Sequence, residues 1–185
     1  IASDHTRPVP SKVIMPAVLE EIKQGNPDAE ITVLIATGFH RPTTREELIS
    51  KFGEDMVDHP DIRFVVHESG KPEDMVSLGK LPSGGELLIN KIAWEADLLM
   101  SEGFIEPHFF AGFSGGRKSV LPGVSSRTTV LANHCSEFID DSHARTGILE
   151  GNPIHRDMIY AAGKAKLAFI INVVLDEDKK VIEAF

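Results

Sequence analysis

Residues 31–42 read ITVLIATGFHRP. The first seven are largely aliphatic and β-branched with no regular polar alternation, the pattern of a strand covered on both faces in a parallel sheet. The run stops at Gly38, and His40, Arg41 and Pro42 follow. A buried strand delivering polar groups at its carboxyl end is the unit of an open α/β sheet, in which ligands sit beyond the strand ends.

Working outward, the same alternation repeats. Upstream, Ser11 is expected to cap a helix through about Gln24, with Val13, Ile14, Ala17, Val18 and Ile22 on one face and Gly25, Asn26 and Pro27 ending it. Downstream, Thr44 and Glu47 have capping-box spacing for a short helix that stops at Gly53. RFVVHE (63–68), LLIN (87–90) and DLLMSEG (97–103) read as further strands, the last two flanking a helical turn around Ala93 and Trp94. Helices are expected from Thr128 to Ile139 and from Pro153 to Lys164, then the strand LAFIINVVL (167–175). VLDEDKKVI (174–182) reads as a C-terminal hairpin, a polar turn between apolar arms. The expected fold is α/β: a doubly wound, mostly parallel, Rossmann-like sheet with flanking helices. There is no internal repeat and no internal domain boundary.

Composition narrows the function. The 185 residues suit one domain, and 42% hydrophobic with 25% charged residues is the balance of a globular protein. A net charge of -9 without a Lys/Arg block excludes a nucleic-acid partner, although Arg117 and Lys118 together could hold one small anion. The single Cys135 excludes an intrachain disulfide and a Cys-only zinc site, which fits a reducing cytoplasm. No apolar run reaches the ~20 residues of a membrane helix, and no signal peptide is visible. The sequence opens at Ile1 without a Met, inside what reads as a strand-to-loop junction, and is taken as a fragment of a longer protein.

Three histidine-bearing loops are expected on one rim: ASDHTRPVP (2–10), which precedes a helix and follows a strand, ATGFHRP (36–42) and EPHFF (106–110). In the first, Asp4 and Thr6 can build a plain turn before the helix, or a hydroxyl, backbone amides and Arg7 can form an anion pocket. His40 and His108 gain weight from the glycines and cations beside them. His59 and His143 read as solvated, His67 as part of a strand, and His155 on its helix as either structural or functional. There is no zinc spacing, no dinucleotide fingerprint and no Walker lysine; the glycines of SGGRKS are misplaced for a P-loop. Ser114 in GFSGG is a weak nucleophile signal.

DHTRPVP (4–10), ATGFHRPTT (36–44), EGFIEPHFFAGFSGGRKSVLPGV (102–124) and the Asn133–His134 pair together resemble the nickel-pincer lactate racemase family of 2-hydroxyacid racemases and epimerases. The resemblance spans essentially the whole chain. It implies that residues 1–185 are the N-terminal cofactor-binding catalytic domain of a two-domain protein whose C-terminal domain forms the other wall of the site. It implies a cofactor, the nickel-pincer nucleotide (pyridinium-3,5-bisthiocarboxylic acid mononucleotide), tethered through a thioamide to Lys118. His134, sixteen positions on, would complete the nickel coordination, and His40 and His108 would be the acid/base pair. Asp4, His5, Thr6 and Arg7 would line the cofactor and substrate pocket, with Arg7 facing an anion. Cofactor-making proteins are implied as partners, and foreign hosts lacking them would yield empty protein.

The chemistry is coherent with these roles. Inverting a carbon needs proton handling on two sides, and histidine accepts or donates near neutrality. The α-hydrogen of a 2-hydroxycarboxylate is a poor acid, so the implied route is hydride transfer coupled to loss of the hydroxyl proton, through a planar 2-keto acid. Nickel with a nitrogen ligand in a planar field is reasonable. Two other readings compete: an anion-binding module using Arg7, Arg41 and Lys118, and a serine hydrolase using Ser114.

Overall fold

A computed structural model describes all residues from Ile1 to Phe185. In chain order the elements are β1 (Ala2–Ser3), α1 (Ser11–Gly25), β2 (Ile31–Ala36), α2 (Arg45–Phe52), α3 (Glu54–Val57), β3 (Ile62–Val66), β4 (Met75–Lys80), β5 (Glu86–Asn90), α4 (Lys91–Glu95) and β6 (Leu99–Phe104). There follow β7 (Pro107–His108), β8 (Gly112–Phe113), a 3₁₀ turn (Gly116–Ser119), α5 (Arg127–Asn133), α6 (Ser136–Ile139), α7 (Pro153–Lys164), β9 (Leu167–Leu175) and β10 (Val181–Ala184).

Strands β1, β2 and β3 pair in parallel in the order β1-β2-β3, while β6 and β9 pair in parallel and β10 joins β9 antiparallel. Ile1 links the two groups. Its nitrogen donates to the Met100 carbonyl (2.6 Å) and its carbonyl accepts from the Glu102 amide (3.0 Å), the spacing of parallel neighbours. The strands therefore run β3-β2-β1-β6-β9-β10. The order reverses between β1 and β6, and that switch point is where an open α/β sheet leaves a crevice at its carboxyl edge.

The sheet is covered on both faces. Along β2, Val33 and Ile35 pack with Met15, Leu48 and Phe52 of α1 and α2, while Leu34 points the other way, into a core built from Val130, Ile154, Met158 and Ala161 of α5 and α7. The doubly wound α/β expectation holds. No helix is long and apolar enough to cross a membrane.

Several elements fall where the sequence places them. Thr44 caps α2 with its side chain on the Glu47 amide while Glu47 bonds back to the Thr44 amide, a complete capping box. Thr44→Ala is expected to cost about 1 kcal/mol of unfolding free energy, read as a lowered midpoint in urea; an unchanged midpoint contradicts the cap. Helix α7 and strand β9 match residue for residue, and β9 turns into β10 as a hairpin.

Four expectations are corrected. Ser11 is not a cap: Pro10 precedes the helix without a side-chain bond, and the buried Ser11 hydroxyl donates to Glu102 Oε1 at 2.6 Å. The buried stripe of α1 is Ser11, Ile14 and Met15, whereas Val13 is 69% exposed. LLIN lies outside the main sheet, because β5 pairs antiparallel with β4, an irregular strand interrupted by Gly79. The helix expected over 128–139 breaks at His134 and Cys135: Cys135 is extended, with φ -77° and ψ 158°.

Candidate active site

The loop leaving β1 is organised by one carboxylate. Asp4 is fully buried; its Oδ1 accepts from the amide and hydroxyl of Thr6 (3.1 and 2.7 Å), and its Oδ2 accepts from His40 Nδ1 at 2.6 Å. The turn and the functional reading of DHTRP are thus one structure. Because Nδ1–H of His40 is given to Asp4, Nε2 is left as the acceptor of the neutral ring. His40 itself arrives from the end of β2 through Gly38, whose φ of 55° favours glycine.

The loop leaving β6 carries the second histidine. The amides of Phe110 and Ala111 point at His108 Nδ1 (3.5 and 3.3 Å), so the proton of the neutral ring sits on Nε2. His108 stacks on Phe109 with centroids 4.7 Å apart. Phe110 meets the rings of both His108 (4.6 Å) and His134 (5.0 Å) edge to face, and the Lys118 ammonium lies 6.0 Å from its centre. Phe110 is therefore the apolar hub of the group, a role with no signal in the sequence beyond its place in the motif.

Lys118 follows a turn that needs glycine. Gly115 and Gly116 have φ of 77° and 50°, and a Cβ on Gly115 would come within 2.8 Å of Asn172 Oδ1 and 3.0 Å of the Phe104 carbonyl. Asn172 Oδ1 also accepts from the Gly116 amide (3.2 Å), so strand β9 clamps the turn. Burial, then Arg7 and Arg117, push the Lys118 ammonium down to about 7. Burial, then the Lys118 charge, holds His134 down to about 4, and burial followed by Lys118, Arg7, His134 and Arg117 does the same to His108.

These groups share a cavity of about 390 Å³, the size for a small ligand. Asp4, Arg7, His40, His108, Lys118 and His134 all line it. His5 and Thr6 do not: His5 Nδ1 turns to the Thr43 hydroxyl (3.0 Å), and Thr6 spends its hydroxyl on Asp4. Arg7 lies 4.0 Å from Glu106, and Arg41 bonds Glu47 in a two-pronged pair outside the cavity. Ser114 lines the cavity, but its hydroxyl donates to the Phe104 carbonyl (2.7 Å) and accepts from the Glu106 amide (2.9 Å), which leaves no base beside it. Sequence reasoning missed Glu102. Its buried carboxyl, raised by burial, lines the same cavity with Oε2 unpartnered; its partner Ser11 is 91 residues away, so no local pattern marks it.

His59 and His143 are exposed, as expected. His67 lies just after β3 and is fully buried, between the Ser125 carbonyl (3.0 Å) and Asn90 (3.2 Å), a structural role. His155 accepts at Nδ1 from Arg117, whose guanidinium otherwise donates to loop carbonyls.

The lactate racemase N-terminal domain family model matches residues 1–147. The chain belongs to that family. Lactate racemases of Thermoanaerobacterium thermosaccharolyticum and Lactiplantibacillus plantarum are each 63% identical to it over 185 residues, covering the whole chain and 43% of those proteins. It thus spans under half the length of these curated relatives. The lactate racemase apoprotein structure from the former organism superposes with a TM-score of 0.97 over the whole chain and 44% of that protein. A Thermotoga maritima protein, 25% identical, superposes at 0.81 over the whole chain and 48% of its own length.

The residues present suit the family's group. Neither ring nitrogen of His134 makes a hydrogen bond, and Nδ1 is buried without a partner. The buried Lys118 amine has no acidic partner within salt-bridge distance. No three His, Cys, Asp or Glu side chains cluster to hold a metal by themselves. Lys118 and His134 thus bring two nitrogen donors without a protein partner to one cavity.

Proposed function

We propose that this chain is the cofactor-binding catalytic part of a lactate racemase, inverting C2 of a 2-hydroxyacid between His40 and His108. The observation that carries the reading is the convergence of both histidines, Lys118 and His134 on one cavity at the switch point of the sheet. When bound, the nickel-pincer nucleotide supplies reversible hydride acceptance. Lys118 would anchor it and His134 would give nickel a ring nitrogen.

The chain's own residues handle binding and protons. Arg7 is the cavity's guanidinium and pairs with the substrate carboxylate. His40, with Nδ1 committed to Asp4, takes the hydroxyl proton at Nε2, and Asp4 stabilises the resulting imidazolium. His108 faces the opposite hydroxyl orientation; for its Nε2 to take that proton, the ring moves its own proton to Nδ1 and releases the Phe110 and Ala111 amides. Phe109 stacks on one face of that ring and Phe110 meets it edge to face. The remainder of the full-length protein closes the site, cofactor-making proteins load it, and the cytoplasm is the expected compartment.

Full-length protein, made alongside the cofactor-making proteins and given L-lactate, should accumulate D-lactate to an equal mixture. Adduct-bearing protein that leaves L-lactate unchanged would refute the assignment. His134→Ala should lose nickel while His59→Ala keeps it; equal nickel in both removes His134 as a ligand.

A further inference from the structure

Arg117 is a largely buried cation with no carboxylate partner. Its Nη2 donates to the Ala111 carbonyl (2.8 Å), its Nη1 reaches the Ser114 and Gly115 carbonyls (3.3 Å each), and its Nε donates to His155 Nδ1 (3.0 Å). Buried charges are ordinarily paired; this one is held by neutral acceptors alone, and burial pulls it down to about 10.

The acceptors are not scattered. Ala111 is fixed from both ends, its amide on His108 Nδ1 (3.3 Å) and its carbonyl on Arg117. Ser114 and Gly115 open the turn in which the Lys118 amide bonds the Gly115 carbonyl (3.2 Å). One planar fork therefore ties the strand of loop that orients His108 to the turn that presents Lys118. Helix α7 holds the fork from behind through His155, and its cap Asn152 adds a bond to the Phe110 carbonyl (2.9 Å). A carboxylate in the place of His155 would neutralise the guanidinium. The imidazole orients it and leaves its charge beside the site.

We propose that Arg117, held by His155, is a positioning residue: it sets the ring orientation of His108 and the turn carrying Lys118. This rests on the reading of His108 as an acid/base group.

The test uses full-length protein. In cofactor-loaded enzyme, Arg117→Lys keeps a charge but loses the fork, and should lower kcat by about 10²-fold with KM little changed. His155→Leu removes the acceptor and should lower kcat about tenfold, whereas His155→Gln, which still offers an oxygen to Nε, should restore most of it. In cofactor-free protein labelled with ¹⁵N-histidine, the His108 signal, identified by its loss in His108→Gln, should show Nδ1 unprotonated in the wild type and averaged nitrogens in His155→Leu. The proposal falls if His155→Leu keeps wild-type kcat and the wild-type His108 signal, or if Gln and Leu are equally impaired. Should Arg117→Lys not fold, the His155 pair decides alone. If His108→Ala is fully active, the acid/base reading fails, and the nitrogen signals still judge the positioning.

Discussion

Alanine at His40 or at His108 lowers lactate racemisation by about 10²–10⁴-fold, the range of a positioned acid/base group, while bound nickel stays near the wild-type amount. The two rings reach the cavity from the ends of different strands, β2 and β6. Their protons are fixed by different means. Asp4 holds Nδ1–H of His40 through a 2.6 Å bond, whereas two backbone amides address Nδ1 of His108. On the proposed reading each ring serves one orientation of the substrate hydroxyl, so neither takes the other's place. Removing either one blocks the passage between enantiomers in both directions, and the equilibrium ratio is untouched because a catalyst changes rates only. Initial rates from pure D- and pure L-lactate are the measurement. Near-wild-type rates in both single variants would show that the rings are structural.

What the sequence disclosed about this site follows the range of the interactions that build it. The capping box at Thr44, the helix opening at Pro153 and the hairpin after Leu175 are made of neighbours in the chain, and the pattern of residue types suffices to find them. The loops bearing His40 and His108 were legible for a similar reason: each follows a strand, and strand ends line the crevice of an α/β sheet. Contacts across the chain were not. Ser11 looks like a helix cap until Glu102 is brought to it from β6, and Val13 belongs to the apolar set of α1 by period but faces outward. Asn172 sits in the middle of an apolar strand, and only the packed fold shows it clamping the Gly115–Gly116 turn. The break after α5 is similarly hidden. Local propensity favours one helix through 139, yet the chain stops at His134, which leaves that ring at a helix end and on the cavity wall. The family resemblance placed His5 and Thr6 in the pocket with Asp4 and Arg7, but His5 turns to Thr43 and Thr6 to Asp4.

Replacement of Lys118 by alanine or by arginine is expected to abolish racemisation and to remove the cofactor mass from the corresponding peptide. Arginine keeps the positive charge but cannot lose its proton to form a bond at nitrogen. The amine is prepared for that bond by its surroundings: burial first, then Arg7 and Arg117, hold it down to about 7, against an ordinary value of 10.5. A lowered value for a cationic acid means that the neutral, nucleophilic form gains. Near pH 7 roughly half of the Lys118 amine is neutral, whereas an unperturbed lysine offers fewer than about one part in 10³. In cofactor-free full-length protein, a limiting amount of an amine-acylating reagent should therefore modify Lys118 ahead of exposed lysines such as Lys12. Its rate should rise with pH and level off above about 7, while the rate at Lys12 goes on rising. Peptide mass spectrometry reads both experiments. Lys118 left unlabelled while Lys12 reacts would refute the depressed amine, and an unmodified Lys118 in fully active enzyme would remove it as the anchor.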